Sequence, residues 1–104
     1  MRIAIRLSAP LLVSTIFVGS LPVAARSEWF CTFGERDTVK GETMACYTAN
    51  GCRFAASLGA EPIKGYDVKS APFALARGKI AGIVTPYEGM VARVRKVKGT
   101  CRQL

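Results

Sequence analysis

Four cysteines, Cys31, Cys46, Cys52 and Cys101, stand downstream of an N-terminal segment patterned for export, and together these features constrain the chain most. Residues 1–25 divide into a basic start carrying Arg2 and Arg6, an apolar stretch from Leu7 to Val18, and a small-residue end at Val23-Ala24-Ala25. That is the three-part pattern of a secretory signal peptide, with cleavage expected after Ala25. A permanent anchor needs about 20 predominantly apolar residues. Here the run is 12 residues long before Gly19, Ser20 and Pro22 interrupt it. A lipoprotein is disfavoured because Cys31 follows Trp29 and Phe30 rather than small residues abutting the apolar run. The expected mature chain, residues 26–104, is one small domain of an exported protein, periplasmic or extracellular, with no transmembrane segment after processing.

In an oxidising compartment an even number of cysteines reads as a disulfide framework. The intervals of 14, 5 and 48 residues contain no C-x2-C knuckle of a zinc site and no C-x-x-C redox motif. Of the three possible connectivities the favoured one is Cys46 with Cys52 and Cys31 with Cys101. The first closes a short loop containing Asn50-Gly51, a reversal signal. The second ties the start of the mature chain to its end. Chain entropy assigns about 2 kcal/mol to the short loop and about 4 kcal/mol to the long one. A core of this size rarely supplies more than about 3–5 kcal/mol.

The hydrophobic pattern is that of an α+β or β-rich domain. Residues 28–34 are aromatic-rich and end in Gly34, as a first strand would. Residues 35–41 read as a loop, and 42–48 alternate like a second strand pairing with the first. Cys52 to Leu58 suits a short helix or a strand. Glu61 to Ser70, with Pro62 and Gly65, reads mostly as loop. Phe73–Ala76 and Ile80–Val84 read as two strands about a glycine turn, although Ser70-Ala71-Pro72 also suits a helical opening. The final segment is expected to be a C-terminal amphipathic helix, with a strand, favoured by its three Val residues, as the alternative. Thr85-Pro86-Tyr87-Glu88 has capping-box spacing, and Met90, Val91, Val94, Val97 and Cys101 fall at helical intervals before and after Gly99, the expected stop.

Charge and missing residue types narrow the chemistry. The full chain carries 15 Lys and Arg against 7 Asp and Glu, a formal charge of +8, and no His. Losing the leader's two arginines leaves +6. Without His there is no His base, no Ser-His or Cys-His nucleophile and no His metal ligand. The mature sequence has no S-x-x-K, G-x-S-x-G or P-loop motif, so a non-enzymatic protein without cofactor or metal is expected. A small hydrolase built on a carboxylate pair is the remote alternative, and Glu35 and Asp37 read more simply as solvated loop acids.

The concentrated feature is a basic cluster. Arg93, Arg95, Lys96, Lys98 and Arg102 lie within the last 12 positions, and no acidic residue follows Glu88. Such a surface suits an acidic protein or an anionic envelope component. No C2H2, RNP or basic-zipper pattern points to specific nucleic-acid binding. The alternative is an inhibitor or immunity-type protein acting through the disulfide-closed loop, with Tyr47, Thr48 and Asn50 as its contacts. Trp29, Phe30 and Phe33 read chiefly as core.

Overall fold

A computed structural model describes residues 28–36 and 38–104. The expected signal peptide and its cleavage point lie outside the described residues, as does Asp37. The described chain is a mixed α/β domain with the element order β1 (Trp29–Thr32), β2 (Thr43–Cys46), α1 (Ala49–Ser57), β3 (Glu61–Lys64), α2 (Ala71–Ala76), β4 (Gly82–Thr85), α3 (Glu88–Lys96) and β5 (Thr100–Gln103). The five strands form one sheet in the order β3-β2-β4-β1-β5. β2 is parallel to both β3 and β4, whereas β1 runs antiparallel to β4 and β5.

Alternation along the strands divides the core into two layers. Cys31, Ala45 and Ile83 pack on one face with Leu75 of α2 and Met90, Val91 and Val94 of α3. Met44 and Val84 point to the other face, where they meet Ala55 of α1 and the partly buried Phe30, Phe54 and Leu58. β4 is buried at all four positions, as expected of a strand covered on both faces. β3 is exposed at all four, and an edge position tolerates its Pro62 because the missing N–H breaks no ladder bond.

Several expectations are corrected. β1 does not pair with β2: β4 separates them, because this buried strand needs a neighbour on each side. The Glu61–Ser70 segment contains β3, a strand whose polar, proline-containing sequence reflects its place at the edge. Phe73–Ala76 belongs to a helix, not a strand, with Pro72 in its first turn. Asn50-Gly51 is not a chain reversal but the first turn of α1, whose N-cap is Thr48. The amphipathic helix exists as α3, but it is not C-terminal: the chain turns back after it and ends in β5.

The ends of α3 also differ from the capping-box reading. Thr85 stays in β4, fully buried, and its Oγ1 accepts from the Tyr87 N–H at 3.0 Å. Tyr87 is the N-cap and makes no side-chain capping bond. At the other end Lys98 N–H donates to Arg95 O at 3.0 Å and Gly99 N–H to Val94 O at 2.9 Å, the two bonds of a Schellman motif. The left-handed residue is Lys98, with φ 73°, and not Gly99. Gly99 serves close approach instead, since a Cβ there would lie 2.6 Å from Val94 Cγ1 and 3.1 Å from Thr32 O. This packing turns the chain directly from α3 into β5.

Two disulfides hold these layers. Cys31 and Cys101 are bridged and lie opposite each other in the β1–β5 ladder. Cys46, the last residue of β2, is bridged to Cys52 in α1. Among the described residues no helix is long and apolar enough to cross a membrane.

Candidate functional site

The residues of interest fall into three places. The first is the outer side of α3. Its buried stripe, Met90, Val91 and Val94, leaves Arg93, Arg95 and Lys96 exposed in the last turn, where cations favour the negative end of the helix dipole. Lys98 is exposed just beyond. Arg95 lies over the Trp29 ring, 5.5 Å from its centroid, and so covers the half-buried indole as well as carrying charge. Among the described residues Arg93, Lys96 and Lys98 have no carboxylate within ion-pair distance.

Arg102 is not part of that surface. It is the register partner of Phe30 in β5, and its guanidinium stands 5.2 Å from the Phe30 centroid. Trp29 and Phe30 are consecutive strand residues and face opposite sides of the sheet, so the sequence cluster divides between the two faces. Alternation along β1 and β5 was available in the sequence, but the pairing of those strands was not.

The second place is the turn closed by Cys46–Cys52, which carries Tyr47, Thr48 and Asn50. It packs against the body. Thr48 Oγ1 donates to Glu28 Oε2 at 2.7 Å and accepts from Gly51 N–H at 2.9 Å, so one hydroxyl joins the start of β1 to the N-terminus of α1. Gly51 lies close to its neighbours there: a Cβ would stand 3.1 Å from Glu28 Oε1 and Thr48 Oγ1 and 3.2 Å from Val84 Cγ1. The Tyr47 ring lies 5.7 Å from that of exposed Tyr87. Its hydroxyl and Glu28 Oε1 are buried and hydrogen-bonded to no other described protein group. Burial pushes the Tyr47 phenol up to about 12, with nearby Asp67, Tyr66 and Tyr87 adding to the effect. Asn50 is exposed and accepts from the Arg53 guanidinium.

The third place was not singled out from the sequence. α1 lies mainly across β3, β2 and β4 and meets β1 through the Phe54 ring against Phe30. Beside this contact is an open hollow of about 560 Å³ floored by Phe30 and Thr32 and walled by Val39, Leu58 and the loop residues Glu35 and Arg36. A smaller hollow of about 120 Å³ shares Phe30 and Thr32 and reaches Arg102. Its only sequence signal was the aromatic Phe30, which most readily reads as core.

Neither the known protein-family models nor the curated proteins include a match to this chain. Among solved structures the chain is similar to a TRAP solute-binding protein from an unidentified marine-metagenome microbe, specific for aromatic acid ligands and crystallised with 3-hydroxybenzoate. The identity is 24% and the TM-score 0.48, over 65% of this chain and 22% of that protein. The chain thus spans about a fifth of the length of the protein it matches.

Proposed function

We propose that this is a small, non-enzymatic binding module of an exported protein, and that the outer side of α3 meets an acidic protein or anionic envelope component. The observation supporting the reading is that Arg93 and Lys96 in the last turn of α3 and Lys98 just beyond it are exposed with no carboxylate in ion-pair range among the described residues. Unpaired surface cations cost little to desolvate partially and attract anions over roughly 8 Å at physiological salt. The two disulfides are compatible with an oxidising, extracytoplasmic compartment. The non-enzymatic part rests on a sequence without His or a recognised nucleophile motif.

The test uses poly-glutamate as the anionic probe. Arg93, Lys96 and Lys98 are changed together to Gln; Arg95 is left in place because it packs on Trp29. Binding at low ionic strength is expected to weaken about tenfold or more, with little change in thermal unfolding. A triple variant that binds poly-glutamate as the parent does would refute the assignment of this surface.

A further inference from the structure

On the other face of the sheet two adjoining hollows share Phe30 and Thr32: the larger has an apolar floor and accessible space, and the smaller holds a stacked cation. Phe30 is only partly buried, although it meets Phe54 edge-on at 5.4 Å, and Val39 and Leu58 extend the apolar wall. The larger hollow's volume of about 560 Å³ falls within the roughly 300–1,000 Å³ of small-molecule sites. Arg102 lines the adjoining hollow of about 120 Å³, which shares Phe30 and Thr32 with the larger one, and its guanidinium stands over the Phe30 ring. A stacked guanidinium keeps its planar fork of N–H donors, which matches a carboxylate with two parallel hydrogen bonds. Thr32 adds a polar side chain on the floor, while Arg36 and Glu35 on the same loop offset each other in charge.

We propose that the two adjoining hollows together bind a small amphipathic carboxylate, with its apolar body in the larger one on Phe30 between Val39 and Leu58 and its carboxylate reaching the Arg102 guanidinium in the smaller one. The site is separate from the α3 surface and does not depend on it. An apolar ligand gains from covering Phe30, and the Arg102 guanidinium selects an acid over the matching alcohol. Arg102 is exposed on an edge strand, so replacing it leaves the core intact.

The oxidised protein, labelled with ¹⁵N, is titrated with 4-phenylbutyrate and, in parallel, with neutral 4-phenyl-1-butanol. Phenylbutyrate is expected to shift the amides of Phe30, Thr32, Leu58 and Arg102, and to bind more tightly than the alcohol. Arg102→Gln should weaken the acid about tenfold while changing the alcohol by less than about twofold. The Arg93, Lys96 and Lys98 triple variant should bind phenylbutyrate as the parent does, which separates this site from the poly-glutamate surface. The proposal is overturned if the alcohol binds the parent as well as the acid does. It is equally overturned if Arg102→Gln leaves the acid's affinity intact, if the shifts fall on α3, or if millimolar phenylbutyrate produces no saturable shift.

Discussion

Substitutions at Lys98 and Gly99 should have opposite effects. Lys98 occupies the left-handed region at φ 73°, where an L side chain costs roughly 1–2 kcal/mol. Lys98→Gly removes that cost but gives the unfolded chain more freedom to lose, worth about 0.4–1 kcal/mol. The expected net is a stabilisation of about 0.5–1 kcal/mol. Gly99→Ala places a methyl 2.6 Å from Val94 Cγ1, inside any tolerable contact, and within 3.1 Å of Thr32 O. Val94 is fully buried and, being β-branched in a helix, has essentially one rotamer, so it cannot swing aside. Overpacking of this kind costs about 1–3 kcal/mol. For a domain of this size each kcal/mol moves Tm by about 4–8 °C. Thermal unfolding followed by circular dichroism should therefore show Lys98→Gly melting a few degrees above the parent and Gly99→Ala well below it. A Lys98→Gly protein no more stable than the parent, or a Gly99→Ala protein matching it, would refute the assignment of strain to 98 and close approach to 99.

Thr48→Val should lower stability by about 2–3 kcal/mol, read by urea unfolding, because it removes a helix cap and leaves both Glu28 carboxylate oxygens without a donor. A loss below about 0.5 kcal/mol would mean the hydroxyl does not link β1 to α1. Replacing Cys31 and Cys101 by Ala should destabilise more than replacing Cys46 and Cys52, by about 4 against about 2 kcal/mol, since the closed loops differ tenfold in length. Equal losses would contradict that ordering. Tyr47 ionises at about 12 in the folded state against 10.0 ordinarily, so the unfolded state releases its proton first as pH rises. Stability should be complete below pH 10 and fall between pH 10 and 12, and Tyr47→Phe should remove that loss at no cost to neutral-pH stability, because its hydroxyl has no protein partner among the described residues. A Phe variant with the parent's alkaline profile would show that another group is responsible.

Local chemistry was legible where it depended on neighbours in sequence. Aromatic alternation marked β1, the Met90, Val91 and Val94 spacing marked α3, and the cysteine intervals disfavoured a metal knuckle. The mixed α/β class was only broadly constrained, because the short apolar runs around Phe73 and Ile83 suit helix or strand until neighbours are known. Tertiary structure decided what depends on partners distant in sequence. It placed β4 between β2 and β1, made a strand of Glu61–Lys64 by giving Pro62 an edge, and returned the chain from α3 to β5 through the close contact at Gly99. It also divided the basic cluster. Arg95 and Arg102 are seven positions apart, but one lies on a helix above Trp29 and the other on a strand beside Phe30, and a pleated strand sends consecutive side chains to opposite faces. Charge content is a property of the sequence, whereas the direction in which each charge faces follows from the pairing of strands that no local pattern specifies.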